Sequence, residues 1–561
     1  MSEKGLTKTQ AKMIAWTSIT VLLGAVWFAT SRSSPTQVQC RCFPGDTCWP
    51  SSGKWDALNK TVEGRLIATI PIASPCHDTF PGISYDADKC AEIQANWPRP
   101  AFHDETTHSP MAPFFPNMSC DPFTPRDAQC IIGAYVPYAV NASCVADYQA
   151  TLAFATKNNI RLVIRNTGHD YMGKSTGAGA LALWTHHIKE RSILDYKSVA
   201  YTGKAMKIGA GVQASEAQAT ANAQGYVVVE GDCPTVGIAG GYTQGGGTSP
   251  LESKFGLSAD QVLEWEVVTG TGELLTATPS QNSDLYWALA GGGGGTYGAV
   301  LSMTVKLHKN MPTTGATLTF IEPSDKYWDV IQTFLINMQA VLKAGASLYW
   351  QVLPGNMFYM PQSHSTKVTS HTVTFSSTDF PAFQDAFYTL NPDMNITELN
   401  LGGSIIPRSL VASNSSTTSL VNGIKSILNN GGILAGVSMD ISQAPTHPNS
   451  VHPDWRNSLF LAFLGTLYNR SNMTANLLGQ KTVTNVLDPA LERLVRNPAA
   501  YLNEADFNQP NWQQVFYGAN YAKLLSIKDK YDPNGIFWGP TVVGSEAWTA
   551  AADGRLCKTR H

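Results

Sequence analysis

Charge is scarce in this chain. Asp, Glu, Lys and Arg make up 14% of its 561 residues, against roughly 25% in an average soluble domain. The net charge is −3 and no block of like charges occurs. A nucleic-acid surface needs a basic excess, so no nucleic-acid partner is expected. Several motifs are also missing. There is no Walker lysine loop and no H-E-x-x-H helix, which removes the simplest nucleotide-triphosphatase and metalloprotease readings. The glycine run 291–295 follows a helical pattern rather than a strand, so it does not fit the G-x-G-x-x-G context of a nicotinamide fold. No internal repeat is visible, which excludes solenoids and propellers.

What is present begins with an address. Lys4, Lys8 and Lys12 precede an uncharged stretch, Met13 to Ser31, that contains the apolar run Val21 to Phe28. This fits a secretory signal peptide ending at the small residues Ala29-Thr30-Ser31. The stretch is also just long enough to be an uncleaved membrane anchor. Either way residues 1–31 are targeting sequence, and the body of the chain is expected in the secretory pathway, secreted or anchored on the lumenal or extracellular side. Cysteines support an oxidising compartment: eight of ten lie between Cys40 and Cys144, an even number suited to a disulfide framework whose pairing is open. A zinc cluster fits poorly, because Cys40-x-Cys42 lacks a second paired spacing, and no metal ligands are assigned. Seven Asn-x-Ser/Thr sequons, at Asn59, Asn117, Asn141, Asn395, Asn414, Asn469 and Asn472, suggest a glycosylated surface.

A chain this long predicts more than one domain. Residues 32–125 are rich in Pro, Cys and Asp and read as a disulfide-stapled N-terminal extension. From 126 to 310 helices and strands mix. Val145 to Asn158 has apolar residues at helical spacing, Ile160 to Arg165 is a short apolar strand, and Ser215 to Gln224 is a helix closed by Gly225. Strands are expected at 227–229, 261–269, 273–277 and 301–307, and Ser283 is expected to cap a short helix running to Ala290. This is an α+β pattern. Residues 311–505 hold scattered helices and β-like stretches such as Ser347 to Val352, a second α+β domain. Trp512 to Lys530 reads as one long helix ended before Pro533, inside a C-terminal segment 506–561.

Three stretches carry chemistry. In Arg165-Asn-Thr-Gly-His-Asp-Tyr-Met-Gly173 a strand runs into a tight loop. Gly168 and Gly173 let its backbone approach an anion, and His169 stands beside whatever binds. Taken alone it reads as an ordinary turn whose histidine is solvated or bonded to the backbone. Residues 231–247 hold seven glycines in 17 positions, an entropic cost that a ligand lying against bare backbone would justify. Cys233 in this stretch is far from the other cysteines and is a poor disulfide candidate; a buried free thiol is the alternative. The third stretch, Asp284 to Gly298, has five consecutive glycines that could be a hinge.

In order and spacing these stretches resemble one family, the vanillyl-alcohol-oxidase-type flavoproteins of the berberine-bridge-enzyme-like branch, and within it the fungal isoamyl-alcohol-oxidase-like members. The resemblance covers 126–310 strongly and, through Asn520-Tyr521, Lys528-x-Lys530-Tyr531-Asp532-Pro533 and Val543-Gly544-Ser545-Glu546, the tail 512–548. It implies a PCMH-type FAD-binding domain, a second α+β substrate domain, and a C-terminal segment returning to the flavin domain. It further implies FAD linked bicovalently, at the 8α carbon through His169 and at C6 through Cys233, which opens Cys-Pro-Thr-Val-Gly237. The remaining cofactor contacts it implies are Arg165, Asn166, Thr167, Gly168, Asp170, Gly173, Thr235, Val236, Gly237, Gly240 and Gly241. The chain departs from the family at Asn166-Thr167, where small residues are common, and at Thr248-Ser249-Pro250.

The expected reaction removes a hydride from a C–H bond next to oxygen or nitrogen of a small-molecule substrate, while a base takes the accompanying proton. In the family a valine three residues after the cysteine goes with oxidase behaviour. Val236 therefore implies molecular oxygen as acceptor and peroxide as product, with a dehydrogenase as the alternative. Oxidative ring closure of a natural product is a second enzymatic reading, and a secreted glycoprotein with a relic flavin pocket is a non-enzymatic one. For the base, Tyr517 and Asn520, with Tyr521, are expected on one face of the last helix, although a phenol with its ordinary pKa near 10 needs a site that lowers it.

Overall fold

The computed structural model describes residues 39–360, 371–380, 398–443 and 445–559. The targeting segment, the sequon at Asn395 and the boundary at residue 31 lie outside them. No helix among the described residues is long and apolar enough to cross a membrane.

From Cys40 onward the chain forms one compact unit organised around three main sheets. The first has the spatial order Leu66–Ala68, Tyr138–Asn141, Ala180–Trp184, Arg161–Arg165, with its last three strands parallel. The parallel strands are apolar runs covered on both sides, as parallel strands require. Ala180–Trp184 is buried at every residue. The helix Val145–Lys157 supplies one cover through Tyr148, Leu152 and Ala155. Residues from the region expected as an extension form another. Trp55, Leu58 and Val62 pack with Val140, Ile160 and Leu181, and Leu66–Ala68 is the sheet's antiparallel edge.

The second sheet is antiparallel, in the order Arg191–Lys197, Thr202–Gly209, Gly298–Lys306, Val262–Thr269, Leu274–Ala277. Its core includes Met206, Ile208, Trp265, Val267 and Met303, and Val515, Phe516, Tyr517, Leu524 and Ile527 of the C-terminal segment join it. The tail therefore returns to this half of the molecule. Lys528 fixes the return: its buried Nζ donates to Thr296 O (2.7 Å), Phe537 O (2.6 Å) and the Asp532 carboxylate (2.6 Å). A buried ammonium is tolerated here because all its protons have acceptors.

The third sheet is antiparallel, in the order His371–Asp379, Pro312–Ile321, Met357–Met360, Leu348–Leu353, Ile433–Ser438, Ser458–Leu467, Leu399–Pro407. Two amphipathic helices back it. Lys326–Lys343 buries Tyr327, Ile331, Leu335, Met338 and Leu342, and Asn414–Asn429 buries Leu420, Val421, Ile424 and Ile427, at the three- and four-residue spacing of one helical face. Leu348, Trp350 and Val352 are buried in this core, and the Trp350 indole donates to Ser438 Oγ at 2.8 Å. Successive strand residues point to opposite faces. Tyr349, between them, is thus on the far face of the sheet, as are Ala435 and Val437 on the neighbouring strand.

Two local expectations are corrected. The short helix is Ser283–Leu289 with Asn282, at φ 49°, as its N-cap; asparagine tolerates this left-handed geometry, so the turn precedes the serine. The disulfides are Cys40–Cys557, Cys42–Cys48, Cys76–Cys90 and Cys120–Cys130. Cys144 is not in the framework and Cys557 takes its place. Cys144 is the N-cap of helix Val145–Lys157, its Sγ 3.7 Å from the Asp147 carboxylate.

Candidate functional site

The loop after strand Arg161–Arg165 is held in shape from beneath. The Arg165 guanidinium is fully buried and donates to the carbonyls of Thr106 (2.7 Å), His103 (2.8 Å) and Ser109 (2.9 Å). It keeps its charge, although burial draws its pKa down to about 10. Gly168, at φ +90°, crosses directly over it; a Cβ there would stand 2.7 Å from Nη2. Asp170 locks the outgoing turn, its carboxylate accepting from the amides of Met172 (2.9 Å), Lys174 (2.5 Å) and Ser175 (2.6 Å). Gly173, at φ +72°, passes against the ring of Phe115. These contacts fix the loop without using the side chains of Thr167 or His169.

The second loop, 231–247, meets the first. His169 Nε2 is 2.7 Å from Thr235 Oγ1, and Cys233 Sγ is 3.8 Å from His169 Nε2 and 3.7 Å from Thr235 Oγ1. Burial is the main reason that His169 is pushed down to about 3 and Cys233 up to about 11. Both groups are therefore neutral near pH 7: an imidazole with a free lone pair and an intact thiol. Gly237 packs so closely on Asn166 that a Cβ would reach 2.1 Å from its Oδ1, whereas Gly241 faces open space.

Together the loops line a cavity of about 430 Å³. Asn166, Thr167, Gly168, His169 and Asp170 contribute one side of it, and Cys233, Val236, Gly237, Gly240 and Gly241 another. Of the remaining expected contacts, Arg165 and Gly173 support the loop, and Thr235 positions His169. The glycines Gly294 and Gly295 of the third stretch close the floor, and the free face of the third sheet forms the roof through Tyr349, Ala435, Val437 and Phe463.

The residues present suit FAD. Side-chain-free backbone at Gly240 and Gly241 leaves room for a flat, extended group, and the neutral His169 imidazole and Cys233 thiol line the same cavity.

Comparison with known proteins agrees. Residues 136–278 match the model of an FAD binding domain and residues 500–543 that of the berberine and berberine-like segment. The FAD-linked oxidoreductase sor8 of Hypocrea jecorina is 48% identical over 94% of this chain and 95% of its own length. The chain belongs to the VAO-type, berberine-bridge-like FAD-linked oxidoreductases. Its cofactor is FAD. A bifunctional decalin synthase, calF of Penicillium decumbens, is 36% identical over 96% of this flavoprotein and 98% of its own length. The crystal structure of the VAO-type flavoprotein MtVAO615 from Myceliophthora thermophila superposes with a TM-score of 0.86 at 40% identity, covering 93% of this chain and all of that one. The glucooligosaccharide oxidase of Acremonium strictum, described as carrying a 6-S-cysteinyl, 8α-N1-histidyl FAD, shares the fold with a TM-score of 0.60 at 17% identity, covering 73% and 92%.

Part of the lining of the flavoprotein cavity is acidic and phenolic. Asp232, Tyr242, Tyr349, Tyr501, Asn503 and Glu504 line it. Burial first, then the nearby Asp232 carboxylate, push Glu504 up to about 7. Tyr501 is raised by burial and by Glu504, against the opposing effect of hydrogen bonds from Asn503 and the Gly247 amide; Asn503 Nδ2 donates to its oxygen at 2.9 Å.

The expected base residues are corrected. Tyr517 and Asn520 do not line the cavity. Tyr517 is fully buried in the core, its OH donating to Thr541 O at 2.9 Å, and burial raises its pKa far out of range for a base. Asn520 Nδ2 donates to Ser450 O (3.2 Å) and Val451 O (3.1 Å). The single helix expected over Trp512 to Lys530 is broken at Gly518, at φ +54°, where a Cβ would strike the His452 ring at 2.6 Å; the regular helix is Tyr521–Tyr531. Tyr501, Asn503 and Glu504, which do line the cavity, lie 13 to 16 positions before Tyr517, and the local hints to this region were Asp232 beside Cys233 and Tyr242 among the glycines.

Proposed function

We propose that the chain is an oxidase that carries FAD through two covalent bonds, to His169 and Cys233, and oxidises a C–H bond beside oxygen or nitrogen of a bulky small molecule. One observation carries this reading: the imidazole and thiol stand 3.8 Å apart in the wall of a cavity that Glu504 also lines. The bicovalent linkage described for the glucooligosaccharide oxidase uses the same two residue types. FAD, when bound, accepts the hydride and passes the electron pair to oxygen, giving hydrogen peroxide.

The protein's own residues do the rest. Glu504, with its pKa near 7, is suited to take the substrate's proton, because a base works best when its pKa is close to the working pH. Asp232 keeps it there by disfavouring a second negative charge. Tyr501, with Asn503 and Gly247 donating to its oxygen, orients a substrate hydroxyl or amine. The sheet face with Tyr349, Val437 and Phe463 excludes water from the reacting end. Val236 in the cavity wall supports oxygen as the acceptor. The likeness to a decalin synthase favours a biosynthetic substrate, with ring closure as a second outcome of the same chemistry. Four disulfides and exposed sequons at Asn117, Asn414, Asn469 and Asn472 support passage through the secretory pathway, with the N-terminal segment cleaved or retained as an anchor.

The test is a visible spectrum before and after acid precipitation, with mass mapping of the pellet. Yellow colour retained on peptides containing His169 and Cys233 is expected. His169→Ala and Cys233→Ala should each leave one link, and a variant that keeps the wild-type spectrum and mass removes that assignment. A substrate screen for peroxide release then tests the oxidase reading.

A further inference from the structure

We propose that Glu105, His186 and His187 form a site for one divalent transition-metal ion of the zinc class, on the outside of the flavin-binding half. None of the three lines the cavity, so the site is distinct from the redox centre.

The residues come from two segments that the fold brings together. Glu105 ends the short helix Pro100–Asp104, and the histidines follow strand Ala180–Trp184. His186 Nε2 is 3.3 Å from Glu105 Oε1, and His187 Nε2 is 3.8 Å from Glu105 Oε2. One ligand atom from each lies within 4.8 Å of the others. Ligands around tetrahedral zinc, at about 2.0–2.2 Å from the metal, stand about 3.4 Å apart. The 3.3 Å and 3.8 Å separations are close to that spacing.

The hydrogen bonding favours metal over a simple ion pair. His187 Nδ1 is 2.9 Å from Asn141 Oδ1, an oxygen that only accepts. A neutral ring with its proton on Nδ1 turns the Nε2 lone pair to the Glu105 carboxylate, whose other oxygen is within hydrogen-bonding range of His186 Nε2. A cation displacing the protons between these rings and the carboxylate would be held by all three, and the Asn141 contact is the outer hydrogen bond that commonly orients a metal-bound histidine. His186 is 1% exposed on its side chain and lies parallel to the Trp184 ring, 9° between planes, so its position is fixed. The nearby cation is otherwise engaged: Lys189 Nζ binds Glu216 (2.9 Å) and Gln213 (3.2 Å). Glu105 and His187 are 67% and 40% exposed, leaving room for water to complete the shell. Two imidazoles and one carboxylate suit zinc, nickel or copper better than magnesium or calcium.

The ion would act on structure. Glu105 belongs to the segment whose His103, Thr106 and Ser109 carbonyls hold Arg165. His186 follows Thr185, whose hydroxyl accepts from Asn166. Metal at this point ties together two supports of the His169 loop.

The experiment uses the full-length, tag-free holoenzyme, stripped with chelator and titrated calorimetrically with Zn2+, and with Mg2+ as the class control. One equivalent of Zn2+ is expected per chain, weakened at least about tenfold in Glu105→Gln and His187→Ala. Zn2+ should also raise the melting temperature of the wild type and not of the variants. His186 is buried against Trp184, so the exposed pair carries the test without confounding folding with binding. Absence of Zn2+ binding, equal binding by wild type and both variants, or equal response to Mg2+ overturns the proposal.

Discussion

On the flavin side of the cavity, polar side chains shape backbone. Asp170 gathers successive amides and Arg165 gathers carbonyls from a distant segment, and glycines leave the surface bare. On the sheet side, shape comes from alternation: Leu348, Trp350 and Val352 enter an apolar core while Tyr349 faces the cavity. The first kind of construction fixes atoms to tenths of an ångström and tolerates few residue types. The second fixes a face and leaves individual identities free. A cofactor common to many relatives calls for the former, and a substrate pocket that must diverge can be built on the latter.

Four substitutions separate these constructions. The largest effect is expected where both meet. Glu504→Gln should lower kcat by about 10²–10⁴-fold. In the wild type, kcat/KM should rise as pH rises through about 7, because the base acts ionised and burial has raised its pKa. That limb should vanish in the variant, and a profile unchanged by it assigns the base elsewhere. Next, Phe358 is 1% exposed in the core of the third sheet, and Phe358→Ala should cost about 3–5 kcal/mol in denaturant unfolding while folded protein keeps its full flavin content. Proportional loss of flavin would mean that the two constructions are not separable. Third, Asp170→Asn puts an N–H donor where three amides point, for about 1–3 kcal/mol; here flavin incorporation, measured by the ratio of visible to ultraviolet absorbance, should fall more than stability does. The smallest effect is expected for Tyr517→Phe, about 1 kcal/mol from the lost bond to Thr541, with kcat within about twofold. A large loss of kcat would return that tyrosine to the chemistry.

The same contrast explains what could be read from the sequence. His169 and Cys233 stood out because glycine-rich loops signal a chemical demand locally, by residue type and spacing. Three helices and five strands of 126–310 followed from periodicity, most within a residue or two at their ends, whereas the strands Tyr138–Asn141, Ala180–Trp184, Arg191–Lys197 and Thr202–Gly209 were not expected. The residues proposed to meet the substrate left no such trace. Tyr501 and Glu504 are ordinary residues in a loop, and the roles proposed for them arise from burial and from Asp232, which is 272 positions from Glu504 in sequence. Tyr517 misled for a related reason: helical periodicity continues through Gly518, where the backbone leaves the helix at φ +54°. Cys557 lay too far from the cysteine cluster to be joined to it by spacing, and the fold alone brings it beside Cys40.

That last pairing has a topological consequence. With Cys40 bonded to Cys557, 517 positions apart, nearly the whole polypeptide is a covalent ring. A protease that cuts once at any loop between them opens the ring without releasing a fragment. The nicked enzyme should run at full mass until a reductant is added. The first cut is then not a loss of material, and both faces of the cavity stay in one molecule.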